Sequence, residues 1–296
     1  MKLAKILCPV DFSPGSQHAM LTAIRIANAA GAELVLAHAW HPPAMMYGGD
    51  ATFPADIVQS MMDDERRGLE VAVREAKELN ARRVTSKFLT GVPWREVVEA
   101  LDDDAGFDLV VMSTHGRSGI SRFLLGSVAE KVVRHAPCSV LTVHEHDKAD
   151  GFQSVLCPVD FSERSQQAID LAAEFVEPGG TGITLLHVLE LPVSYSGEPS
   201  VTGFVESLDK HAARRLEELA SQLRATLAVP VVTRSRIGSP GGQTLAILDE
   251  QPPIDLVVVG SHGRTGVSRA LLGSVAEKIV RYARCAVLVA RQRTQV

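Results

Sequence analysis

The chain has 296 residues, enough for two domains of ordinary size, and 46% of them are hydrophobic, enough to build two cores. Its formal net charge of −5 leaves no basic field to attract nucleic acid. No apolar run approaches the length of a membrane span, and the start of the chain lacks a signal-peptide core. A cytoplasmic protein is expected, with neither nucleic acid nor membrane as partner.

Ile6–Val10 reads as a short strand, followed by the turn Asp11-Phe-Ser-Pro-Gly-Ser16. Ser16 is the expected cap of a helix that runs to about Ala30 and stops at Gly31. Glu33–Ala39 is the second strand, His41–Pro54 a long loop and Ala55–Asn80 a long helix. A strand over Arg83–Phe88, a helix beginning at Trp94–Leu101 and a strand over Phe107–Met112 follow. A glycine-containing loop leads into the helix Val128–His135 and the strand Ser139–Val143.

The order then repeats. Strands are expected over Ser154–Val159, Ile183–Leu189, Val231–Arg236, Ile254–Val259 and Ala286–Ala290. Helices are expected over Ser165–Phe175, Gly203–Leu227, Gly242–Asp249 and Val275–Tyr282, with a loop over Pro192–Thr202. Ser113–Val143 against Gly260–Ala290 shows 20 identities in 31 positions, at an offset of 263 − 116 = 147. The chain is therefore a duplicated domain, divided as 1–146 and 152–296 with a linker over 147–151. Alternating strands and helices predict α/β domains with parallel sheets covered on both faces.

The duplicated glycine loops carry the chemistry. Gly260-Ser-His-Gly263 and, nine residues on, Gly273-Ser274 lie between a buried strand and a helix. Such a loop lets the backbone approach a ligand, and the unpaired N–H groups of the helix favour an anion. The first copy has Gly116, Gly126 and Ser127. Asp11 and Asp160 each follow a buried strand by one residue. If the first and fourth strands are neighbours, each carboxylate faces its glycine loop across the ligand crevice of an open sheet. The plainer alternative is that each aspartate only starts a turn.

Other residues weigh less. Ser127-Val-Ala-Glu130 and Ser274-Val-Ala-Glu277 fit a capping box, leaving the N–H groups of Gly126 to Val128 for an anion. His115 and His262 are read as loop residues, with phosphate contact as the alternative, and Arg117, Arg122, Arg264 and Arg269 as solvated loop cations, with neutralisation of phosphate charge as theirs. Cys8, Cys138, Cys157 and Cys285 lie at apolar strands without metal-binding spacing and read as buried hydrophobes. His144 and His146 alone make no metal site. The P-loop and nucleophile-elbow patterns are absent, and no catalytic residue is assigned.

Taken together these residues resemble the universal stress protein family in its tandem form. Gly260, Gly263, Gly273 and Ser274 match the family's G-x-x-G, nine residues, G-[ST] signature in full. The first copy has Ser113 in place of the leading glycine. Pro9-Val10-Asp11, Pro158-Val159-Asp160, His38-Ala39 and His187-Val188 also resemble the family. The resemblance implies Rossmann-like domains with five parallel strands in the order 3-2-1-4-5. By resemblance, Pro9, Val10, Asp11, Ala39, Gly116, Gly126, Ser127 and Val128 would hold ATP in the first half. Pro158, Val159, Asp160, Val188, Gly260, Gly263, Gly273, Ser274 and Val275 would do so in the second. A divalent cation such as Mg would travel with the phosphates. The Cβ of Ser113 is expected to crowd the sugar, so that the second site binds more tightly. A non-enzymatic, ATP-binding regulator of the stress response is the leading expectation. A slow ATP hydrolase and a nucleotide-free interaction module are the alternatives. The halves are expected to pack as a pseudo-dimer through their last strands, and a homodimer is a further expectation.

Overall fold

The computed structural model describes residues 3–42, 54–104, 106–116, 125–148, 150–191, 202–250, 253–263 and 272–291. The expected loop cations Arg117, Arg122, Arg264 and Arg269 lie outside these residues. The chain divides into two compact units between Ala149 and Asp150.

The first unit runs β1 (Lys5–Pro9), α1 (Pro14–Ala30), β2 (Glu33–Trp40), α2 (Ala55–Glu78), β3 (Val84–Thr90), α3 (Pro93–Asp103), β4 (Leu109–Ser113), α4 (Ser127–His135) and β5 (Ser139–Val143). The second runs β6 (Ser154–Pro158), α5 (Glu163–Phe175), β7 (Gly182–Leu189), α6 (Thr202–Arg224), β8 (Val231–Ile237), α7 (Pro240–Leu248), β9 (Leu256–Gly260), α8 (Ser274–Tyr282) and β10 (Ala286–Ala290). Within the first unit the strand order is β3-β2-β1-β4-β5, and within the second it is β8-β7-β6-β9-β10. Neighbouring strands are parallel. This is the α/β architecture expected from the repeating elements.

The central strands are apolar on both faces because helices cover both. Ile6, Leu7, Cys8, Val110, Val111, Val140 and Leu141 are wholly buried, and so are Val155, Leu156, Val257, Val258, Val287 and Leu288. Helix α3 packs with α4, and α7 with α8. All four cysteines are free and buried. Burial pushes the Cys8 and Cys157 thiols far up, so both stay protonated and behave as small hydrophobes. No helix among the described residues is long and apolar enough to cross a membrane.

A carboxylate sets the neighbour relation that matters for the site. Asp108, just before β4, accepts from the N–H groups of Ala4 (2.7 Å) and Lys5 (3.1 Å). Asp255 does the same for Gln153 (3.0 Å) and Ser154 (3.2 Å) in the second unit. Each clamp ties the start of the first strand to the start of the fourth. The resulting register pairs Ile6 with Leu109 and Val155 with Leu256. The winding reverses between these strands, so a crevice opens beyond their carboxyl ends.

The helix starts depart from expectation. Ser13, not Ser16, caps α1: its Oγ accepts from Ser16 N–H at 3.2 Å, and Pro14 occupies the first helical position. Ser162 caps α5 in the same way. Helix α3 begins one residue before the expected Trp94 and α7 two residues before the expected Gly242, each at a proline. Proline has no N–H to lose at that position and its fixed φ suits the helix. Gly31 ends α1 with φ 68°, as expected of a C-terminal glycine.

Candidate functional site

The site is built from the turn after the first strand. Asp11 Oδ1 accepts from Ser13 N–H (3.1 Å) and Ser13 Oγ–H (2.6 Å). Asp160 Oδ1 makes the same pair with Ser162, at 3.0 and 2.6 Å. The turn-forming reading of these aspartates is thus correct, but it uses one oxygen. The other faces the glycine loop. A Cβ built on Gly263 would lie 2.9 Å from Asp160 Oδ2, and one built on Gly116 would overlap Asp11 Oδ2. Only glycine leaves a cradle under each carboxylate.

The second wall is the helix after the loop. Gly126 N–H donates to Thr114 O and Gly273 N–H to Ser261 O, both at 2.8 Å, which closes each loop on itself. These glycines are the N-caps of α4 and α8, with no side-chain cap. The expected capping box is therefore absent. Ser127 and Ser274 are first helical residues, and a capping box needs its serine one position earlier. The first helical bonds are Glu130 N–H to Gly126 O (2.9 Å) and Glu277 N–H to Gly273 O (2.8 Å). The N–H groups of residues 127–129 and 274–276 have no helical acceptor. Gly126 N–H, expected to be available, is spent inside the loop; among the described residues, the N–H groups without an acceptor start one residue further on.

Ala39 and Val188 sit half-buried at the ends of β2 and β7. Val10 and Val159 are buried, and their N–H groups donate to Ala37 O (2.8 Å) and Leu186 O (2.7 Å). They shape the floor and leave no free N–H. Pro9 and Pro158 end the first strands, and Val128 and Val275 are half-buried in the first turns of α4 and α8.

Sequence reasoning missed two supports. Phe12 and Phe161 adopt left-handed φ of 63° and 64°, which costs about 1 kcal/mol for a residue with a Cβ. Each ring lies 4.6 Å from an imidazole, His38 or His187. Both histidines are buried, and their Nδ1 atoms donate to Val10 O and Val159 O at 2.8 Å. This bracket holds the aspartate turn against the second strand. The common offset, 161 − 12 = 187 − 38 = 149, was the available signal. The surroundings differ between units. His38 Nε2 lies 3.3 Å from Glu65 Oε2, and Phe12 packs on Gly68. In the second unit Arg215 lies over Phe161 at 4.3 Å. A cavity of about 300 Å³ beside Phe12, lined by Ser16, Met20, Ala72 and Glu75 among others, includes no glycine-loop residue.

Ser113 does not behave as expected. Its Oγ accepts from His115 N–H at 3.2 Å and occupies the space beside Gly15, in the first turn of α1. At the equivalent place in the second unit, a Cβ on Gly260 would lie 3.0 Å from Arg164 O and 3.4 Å from Arg164 Cβ. The small residue has changed sides: Ser113 faces Gly15, and Gly260 faces Arg164. The Ser113 side chain is thus taken up by packing on α1.

The model of the universal stress protein family matches residues 2–144 and again 151–291. Universal stress protein Rv2005c of Mycobacterium tuberculosis is 32% identical over 248 residues, covering 78% of each chain. Universal stress protein Rv2623 of the same organism is 27% identical over 294 residues, covering 97% of this chain and 96% of that one. The crystal structure of a universal stress protein from Archaeoglobus fulgidus is similar in fold, with a TM-score of 0.66 at 19% identity over 98% of this chain and 99% of that one.

Proposed function

The chain belongs to the universal stress protein family, and from that premise we propose that each half binds an adenine nucleotide, with ATP as the ligand and regulation of the stress response as the role. The observation that carries this reading is the meeting of Asp160 Oδ2 with Gly263, repeated by Asp11 with Gly116. A carboxylate over a backbone cradle accepts from sugar hydroxyl or base amino groups. The unpaired N–H groups of residues 127–129 and 274–276 take phosphate oxygens, favoured by the helix dipole. Ala39 and Val188 flank the base side, and Ser127 and Ser274 are exposed at the phosphate side. The residues present fit a nucleoside phosphate. A divalent cation would be carried by the phosphates themselves.

The role proposed is binding, not turnover. The test is the nucleotide content of the purified full chain by chromatography, with phosphate release followed in parallel. Bound ATP without release supports the proposal. Steady release would make the protein a slow hydrolase, and an empty protein that takes up no added ATP would refute nucleotide binding.

A further inference from the structure

The two sites share their backbone plan and differ in charge. Position 164 in the second unit corresponds to position 15 in the first, by the offset of 149 that relates β6 to β1. In the first unit this position is glycine. The loop there is held from within: Ser113 Oγ takes His115 N–H at 3.2 Å, and Thr114 Oγ1 meets His115 Nδ1 at 3.0 Å. In the second unit Arg164 extends from the first turn of α5 to the loop. Its Nη1 donates to Ser261 Oγ at 3.3 Å and to His262 Nδ1 at 3.4 Å. Ser261 Oγ also lies 3.2 Å from His262 Nδ1. Burial lowers the pKa of His262, and the neighbouring Arg164 and Arg291 charges lower it further, so the imidazole remains an acceptor for the guanidinium.

Arg164 is half-buried, and among the described residues no carboxylate pairs with it. A guanidinium has five N–H donors, and this one spends a single nitrogen on neutral partners. A partly buried cation lacking a counter-ion is poorly compensated, and an anion arriving at the same loop corrects that. Ser261 O in turn accepts at 2.8 Å from the N–H of Gly273, the N-cap of α8, so the arginine's partner abuts the start of that helix. Gly260 belongs to the arrangement, because a larger residue would strike the Arg164 backbone at 3.0 Å.

Resting on the nucleotide reading above, we propose that Arg164 holds the glycine loop of the second site and gives that site a preference for a nucleoside triphosphate over a monophosphate, a preference that the first site, with Gly15, largely lacks. A cation near the phosphate end gains more from a triphosphate, which carries more negative charge, than from a monophosphate. The base and sugar contacts are common to both ligands and cancel in the comparison.

The experiment isolates the second site in the full chain with Gly116→Glu, which fills the first cradle. ATP and AMP are titrated calorimetrically into this background and into the same background carrying Arg164→Met or Arg164→Lys. The expected result for Arg164→Met is a loss of about tenfold in ATP affinity and under threefold in AMP affinity, of the size of one charge-assisted contact. Arg164→Lys should restore most of the preference, since it keeps the charge. Raising the salt concentration should narrow the ATP:AMP ratio in the Arg164 protein. That measurement stands even if Arg164→Met fails to fold. An unchanged ratio in both variants, or equal losses for the two ligands, would overturn the proposal and leave nucleotide binding intact. Failure of the Gly116→Glu background to bind either nucleotide would overturn the nucleotide reading and this proposal together.

Discussion

Ser113 and Gly260 occupy equivalent positions, and their neighbours in the first turn of α1 or α5 explain why they differ. The Ser113 Oγ is engaged with His115 N–H and fills the space that Gly15 leaves. Ser113→Gly is therefore expected to leave ATP affinity at the first site within twofold, measured by calorimetry on full-length protein carrying Gly263→Glu; a gain of fivefold or more would show that the side chain does crowd the sugar. Gly260→Ser should cost the second unit about 1–2 kcal/mol, as for a small side chain forced into packed surroundings, read from urea unfolding. Gly263→Glu should abolish binding at the second site while sparing the fold, because it places a carboxylate against Asp160 Oδ2 on an exposed loop. The glycine loops and aspartates were legible as residues, since glycine and a strand-end acid carry their geometry with them. The direction of the Ser113 side chain was not legible. It depends on which face of β4 its Cβ takes and on what α1 presents there.

The caps separate helices that each have a serine at their start. Ser13 and Ser162 bond the helix starts they precede, at 3.2 Å in each case, whereas Ser127 and Ser274 stand inside helices capped by glycine. Ser13→Ala and Ser162→Ala should each lose about 1 kcal/mol in chemical denaturation. Ser127→Ala should change stability by less than about 0.5 kcal/mol. Equal losses at Ser13 and Ser127 would contradict these assignments. Element type and order followed from apolar periodicity, so every strand and helix was present near its expected place. Helix starts did not, because Ser-x-x-Glu and Ser-Pro both look like beginnings and only the backbone decides which residue stays extended. The Phe12–His38 bracket was equally hidden. It joins a turn to a strand end through a left-handed residue, which no periodicity reveals.

Each half of the chain contains a complete five-stranded sheet and its own apolar core, from Ile6 and Val110 in one to Val155 and Val257 in the other. Residues 1–149 and 150–296, produced separately, are therefore each expected to unfold cooperatively in urea with coincident fluorescence and circular dichroism transitions. A half that gave no cooperative transition would show that its core is not self-sufficient. The duplication was legible because the offset stayed constant through the glycine loops; the divergence of the two loops emerged only from their contacts. That divergence has a steric consequence. In the first unit the Ser113 hydroxyl and a Cβ at position 15 would occupy one volume. Glycine at both places would relieve the exclusion in either unit. The two positions are therefore coupled: Gly15→Arg should be tolerated in the first half only together with Ser113→Gly, a dependence that urea unfolding of the single and double variants checks.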